Sequence, residues 1–168
     1  MDIHKRGLIL EGGAMRGMFT CGVIDVFMEN GIDFDGAAGI SAGATFGCNY
    51  KSRQIGRAIR YNKKYSRDWR YCSLRSLIKT GDLYGAEFCY HMMPDVLDPF
   101  DTETFKNNPM DDIDRKKALG EVFVIRPPED PGIGRTEKDP EELERVYQMG
   151  RREAARRLDE MKTFLCLM

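Results

Sequence analysis

The stretch "DFDGAAGISAGATFG", residues 33–47, decides how this chain is read. It passes from two aspartates through small residues into Gly39-Ile40-Ser41-Ala42-Gly43, a G-x-S-x-G. "FDGAAGI" predicts a short strand, and the residues from about Ala42 onward are helix-compatible. A serine on a sharp strand-to-helix turn is lifted clear of the sheet. Such a turn needs small residues two before and two after, because it forces backbone segments together. Gly39 and Gly43 meet that need as elbow glycines. The helix start also aims free amides and a partial positive charge at a reacting oxygen. Ser41 is therefore the candidate nucleophile, and the bland alternative is a tight turn without chemistry.

A second glycine turn lies upstream. "GLILEGG" predicts a buried strand over Leu8 to Leu10, stopped at Gly12-Gly13. Gly12, Gly13, Ala14, Arg16 and Gly17 follow as a G-G-A-M-R-G turn. Consecutive amides there, with that of Ala42, could hold the oxyanion of a tetrahedral intermediate. The same letters approximate the phosphate-binding G-x-G-x-x-G, with Ala14 in the middle glycine's place and Asp33 and Asp35 at ribose-contact distance downstream. A plain βα turn is the third reading. Two glycine turns ending neighbouring strands favour the oxyanion role, with Arg16 supporting the loop.

The apolar spacing of Met15, Met18, Phe19, Val23, Val26 and Phe27 predicts a helix closed by Gly31. Strand, helix, strand, helix in this order implies a right-handed βαβ unit and a parallel sheet. A further strand is predicted over Val122 to Ile125. The last helix has Asp139 as N-cap, Pro140 at its first position and Glu142 placed for a capping box. Its stripe is Leu143, Val146, Tyr147, Gly150, Ala154, Leu158, Met161 and Leu165. Three strands are few for an open parallel sheet.

The proton acceptor is the difficulty. The chain has two histidines. His4 precedes the first strand, at the wrong end of the sheet, and only His91 follows Ser41. The serine is therefore expected to pair directly with a carboxylate. Asp35, six residues earlier on the same strand, would be about 20 Å away and cannot serve.

"GLILEGGAMRGMFTCGVIDVF" together with "FDGAAGISAGATFG" resembles the patatin-like phospholipases. That family pairs a G-G-x-x-[KR]-G oxyanion turn, here Gly12, Gly13, Arg16 and Gly17, with G-x-S-x-G, here Gly39, Ser41 and Gly43. "TGDLYGAEFCYHMMP", "LDPFDTETF" and the segment from "GEVFVIRPP" onward are similar to a bacterial branch of it. The resemblance implies a three-layer α/β/α sandwich with a mostly parallel central sheet, one domain over 1–168. It implies a Ser-Asp dyad hydrolysing carboxylic esters of lipids, with a lipid ester or phospholipid as substrate and no cofactor or metal. The family's catalytic aspartate stands in a D-G-[GA] downstream of the serine, and none is found here. Asp111, Asp112 and Asp114 read as a helix start, with Lys116 and Lys117 behind. Residues 107–114 are accordingly expected to be a junction at which the family's middle section is missing. Without the base, a non-catalytic lipid- or protein-binding module is the alternative function.

Composition limits the rest. The 168 residues are 42% hydrophobic and 32% charged with net charge −1, the profile of one soluble globular domain. No apolar run approaches a membrane span or a signal peptide. Five cysteines without C-x-x-C spacing suggest reduced thiols and a cytoplasmic location. The local exception to neutrality is 51–70, "KSRQIGRAIRYNKKYSRDWR", where basic residues step by three and four beside Tyr61, Tyr65 and Trp69. It reads as a solvated face or as a peripheral contact with anionic lipid; nucleic acid is not expected.

Overall fold

The computed structural model describes residues 6–81, 83–112 and 123–166. Strand β1 (Gly7–Leu10) ends at the first glycine turn, whose residues Ala14–Gly17 form one 3-10 turn before helix α1 (Met18–Glu29). Gly31, at φ 63°, closes α1 as its spacing predicts. Strand β2 (Gly36–Gly39) lies parallel to β1, with Gly7 beside Gly36 and Leu10 beside Gly39. Helix α2 (Ala42–Lys51) follows Ser41 directly.

The helix expected beyond Ala42 is two helices. Arg53 and Gly56 adopt positive φ, at 58° and 69°, and α3 (Arg57–Tyr65) starts after them. Gln54 holds the corner, its amide nitrogen donating to the Pro99 carbonyl at 2.9 Å. The middle of the chain forms short pieces: α4 (Leu74–Thr80), a π-type helix over Phe88–Leu97 that contains Pro94, and α5 (Thr102–Asn107).

Asp111 and Asp112 are not a helix start. They form β3 (Asp111–Asp112), parallel to β2 beside Gly36 and Ala37. Asn108 turns the chain into this position: its side-chain amide donates to the Lys51 carbonyl at 2.8 Å, and its side-chain oxygen accepts the Met110 N–H at 3.0 Å. The strand expected over 122–125 is also corrected. Residue 122 lies outside the described residues, as do His4, Asp114, Lys116 and Lys117, and 123–125 pair with no strand. Phe123 instead packs on Phe164 and beneath the Arg157 guanidinium, 4.2 Å from its ring centre.

Helix α6 (Pro140–Arg156) has the expected start, with Asp139 accepting the Glu141 N–H at 3.0 Å. The capping box does not form. Glu142 binds Arg145 instead, and Glu137 accepts the Asp139 N–H at 2.9 Å from the other side. A break at Arg157 separates α7 (Leu158–Phe164). The predicted stripe faces inward, with Leu143, Val146, Tyr147, Gly150, Ala154, Met161 and Leu165 buried.

α6 crosses α1 at unusually short range. A Cβ on Gly22 would stand 2.1 Å from the Tyr147 carbonyl oxygen, and one on Gly150 would stand 2.0 Å from that of Phe19. This crossing joins the C-terminal part to the N-terminal βαβ unit in one core. Beside it Asp25 is buried, accepting the Tyr147 hydroxyl at 2.8 Å and the Gly56 N–H at 3.1 Å. Burial outweighs those bonds and pushes its carboxyl up to about 6.

The parallel sheet carries its helices on one side. Leu8 and Leu10 point into the core shared by α1, α2 and α6, whereas Ile9 between them is 59% exposed. Three parallel strands in the order β1-β2-β3 place both crossover helices on the same face. The described residues form an α/β arrangement of two layers, and the second helical layer of the expected sandwich is not among them.

Candidate active site

Ile40 and Ser41 join β2 to α2, with Ser41 at φ 52° and ψ −118°. That backbone conformation costs a residue with a Cβ roughly 1–3 kcal/mol and persists only where its surroundings impose it. Here they do. The Ile40 N–H donates to the Leu10 carbonyl at 3.0 Å, and the Gly43 N–H to the Ile40 carbonyl at 2.9 Å. The Ala44 and Thr45 N–H groups converge on the Ser41 carbonyl at 3.0 and 3.2 Å. No side chain fits at either flanking glycine. A Cβ on Gly39 would meet Ala44 Cα at 2.5 Å, and one on Gly43 would meet the Leu10 carbonyl oxygen at 2.3 Å. Ser41 itself stays exposed.

The first glycine turn arrives at the same point. A Cβ on Gly12 would lie 3.3 Å from Ser41 Cβ, and one on Gly17 would lie 2.8 Å from the Phe46 ring and 3.5 Å from Ala42 Cβ. Ala14 takes φ 48°, completing a tight bend. The amides of Gly12 and Gly13 have no protein acceptor among the described residues. Ala42, first in its helix, has an amide that the helix cannot satisfy. Arg16 is exposed, and its backbone N–H donates to the Gly13 carbonyl at 3.2 Å. Unpaired donors and an exposed serine hydroxyl thus share one corner of the sheet.

Sequence reasoning missed one support of this corner. The Met15 N–H donates to the Arg135 carbonyl at 3.3 Å, so the loop before α6 braces the turn. Nothing local signals a contact between segments so far apart in the chain.

No base reaches the serine among the described residues, where its hydroxyl makes no hydrogen bond. His91 is on the surface of the π-type helix, its Nδ1 3.8 Å from Asp95 Oδ2. Asp35 accepts the Arg6 N–H at 2.7 Å, before β2 begins, at the opposite end of the strand from Ser41. Asp33 pairs with Arg53 at that same far end. Neither aspartate is placed to meet a nucleotide ribose bound at Gly12–Gly17, so the dinucleotide reading loses its ribose contact. An open cleft of about 650 Å³ lies at the far end too, lined by Arg6, Asp33, Asp35, Arg53, Glu103 and Met110. It is remote from Ser41.

The basic segment 51–70 is mostly turned inward or paired. Arg57 is buried, donating to the Asp98 carbonyl at 2.6 Å and to Asn49 at 2.9 Å. Arg60 grips the Asp98 carboxylate with two bonds of 2.7 Å. Lys63 binds Glu144 and Arg70 binds Asp68, at 2.8 and 2.7 Å, and Arg67 lies 3.5 Å from Asp139. Tyr61 and Tyr65 belong to the core. Of the stripe only Arg57 is buried; Arg53, Arg60, Lys63, Lys64 and Arg67 remain exposed, as a solvated face requires, with most of them held in surface ion pairs.

Residues 107–166 match a family described as a domain of unknown function (DUF6363). No curated protein and no solved structure matches the chain. Among the described residues, no helix is long and apolar enough to cross a membrane.

Proposed function

We propose that this chain carries the nucleophile half of a patatin-like serine acyl hydrolase, acting on carboxylic esters of lipids at a cytoplasmic site. The observation that carries the reading is Ser41 at φ 52° with Gly12 packed against it. Attack would form a bond from Ser41 Oγ to an acyl carbonyl carbon. The amides of Gly12, Gly13 and Ala42 would take the oxyanion, and collapse would expel the alcohol. Arg16 and the Arg135 carbonyl hold the turn that presents those amides. No metal or cofactor takes part in this scheme.

The family's second helical layer and its D-G-[GA] aspartate belong to the section we infer to be missing between about residues 107 and 114. Two observations support the junction. Ile9 of a parallel sheet faces solvent, although such sheets are normally covered on both faces. The family match of the C-terminal part begins at residue 107. Without the base, the serine proton must go to water. The chain then acylates slowly with activated esters and does not turn over lipid, so in practice it is a catalytically impaired member.

A fluorophosphonate probe tests the reading. Ser41 Oγ displaces fluoride at phosphorus and loses its proton to solvent. Labelling that disappears in Ser41→Ala is expected, and folded protein that stays unlabelled at high probe concentration would falsify it.

A further inference from the structure

Helix α4 is a short helix that does almost nothing for the core. Of its seven residues only Ser76 is buried. Leu74 is 72% exposed, Ile78 86% and Leu77 42%. The helix is nevertheless well made. Ser73 Oγ accepts the Ser76 N–H at 2.9 Å, and Gly81, at φ 84°, closes the end. A capped helix that spends three large apolar residues on solvent has a surface to meet.

The charges beside it indicate which surface. Within α4 itself the charges are Arg75 and Lys79, with no carboxylate; Arg70 before it is paired with Asp68. Arg75 lies 4.5 Å from the Trp69 ring centre and Lys79 5.2 Å, so both cations flank an exposed indole. Aliphatic residues entering a bilayer, a tryptophan at the boundary and cations at the phosphates form an interfacial pattern.

One loop touches both the first glycine turn and the approach to α4. The Arg135 carbonyl accepts the Met15 N–H of the oxyanion turn, and Lys138 Nζ, three residues on, donates to the Cys72 carbonyl at 2.8 Å. Three residues of chain span at most about 11 Å. One loop therefore ties the turn beside Ser41 to the residue two before α4.

We infer that α4, with Trp69, Arg75 and Lys79, is a docking surface for an anionic lipid bilayer. Its role rests on the lipid-ester reading of Ser41, but its existence is tested without hydrolysis. The experiment is sedimentation of the full chain with vesicles of phosphatidylcholine alone or mixed with phosphatidylserine. Binding to the mixed vesicles is expected, weakening as salt is raised. Leu74→Asn with Ile78→Asn should lower partitioning at least about tenfold, since each burial contributes more than that factor. Arg75→Glu with Lys79→Glu should lower it about tenfold or more, at roughly fivefold for each cation near an anionic surface. Arg152→Glu, a charge reversal on the exposed face of α6, should leave it unchanged. Far-UV circular dichroism should be the same for all, because none of these side chains is in the core.

Absence of vesicle binding, or equal loss in Arg152→Glu, overturns the inference. So does an α4-dependent dimer by light scattering without vesicle binding, which would make a second copy the occupant. Vesicle binding that needs α4 in protein that fluorophosphonate does not label keeps the docking surface and removes the nucleophile. Labelling without vesicle binding does the reverse.

Discussion

Gly12 and Ser41 come from different turns and meet with no room for a methyl group between them. A Cβ on Gly12 would stand 2.9 Å from the Ile40 carbonyl oxygen and 3.3 Å from Ser41 Cβ. The two turns are one construction: the amides that precede α1 are held against the serine that precedes α2. The contact depends on the parallel register, which sets Leu10 beside Gly39 and so ends both strands at the same level.

Gly12→Ala should therefore damage the site more than the fold. The new methyl must push the Ile40 carbonyl or the serine aside, at a cost of about 1–3 kcal/mol in stability. Labelling of Ser41 should fall at least about tenfold, because small displacements of a nucleophile are costly. Gly134→Ala, whose Cβ would meet nothing nearer than 4.0 Å, is the control and should alter neither quantity. Intact-mass labelling and urea melts read both.

Ile9 and Leu10 should respond oppositely to substitution. Leu10→Ala should cost about 2–5 kcal/mol, as for other core leucines. Ile9→Thr keeps a β-branched residue on an exposed face and should change stability by less than about 0.5 kcal/mol. A similar penalty at both positions in denaturant melts would mean that the second face of the sheet is covered.

Asp25 should make stability fall as pH rises. Its carboxyl titrates at about 6 in the folded chain, above the ordinary value of 3.8, because burial penalises the charged form. The Tyr147 hydroxyl, the Gly56 amide and Arg151 offset that in part, while Glu29 adds to it. The folded state thus holds the proton more tightly than the unfolded state. The stabilisation is fully present below about pH 4 and is lost as pH climbs through 6. Roughly two pKa units correspond to at most about 3 kcal/mol. Asp25→Asn should lose this decline, so the difference between wild type and variant across pH 4 to 7 isolates it. A difference that stays flat would place the carboxyl at an ordinary value.

Much of this architecture is legible in local sequence, and the misses share a cause. Two glycine turns, the helix between them and the Asp139-Pro140 start of α6 are signed by residues within a few positions of one another. β3 is not. Aspartates are poor strand formers, and Asp111-Asp112 enter the sheet because Asn108 and the open edge of β2 place them there. The break between α2 and α3 depends on Arg53 at positive φ, which no propensity predicts. Asp25 looks like one more charge on an amphipathic helix until α6 crosses α1. At the site, Ser41 and its glycines are legible because the turn restricts residue type, whereas the bracing by Arg135 is long-range. The basic stripe of 51–70 is legible as a mostly exposed face, but spacing does not show that Arg57 is buried or that Asp98, Glu144 and Asp139 come to meet its neighbours.

The central claim is a built nucleophile without its base, and intact mass spectrometry during reaction with p-nitrophenyl butyrate tests it most directly. The account predicts slow addition of one butyryl group, mapped to Ser41 and absent in Ser41→Ala. At most about one equivalent of nitrophenolate should be released on that timescale. Folded protein that gains no acyl group, or gains it equally in Ser41→Ala, would contradict the nucleophile. Sustained turnover abolished by Ser41→Ala would contradict the missing base.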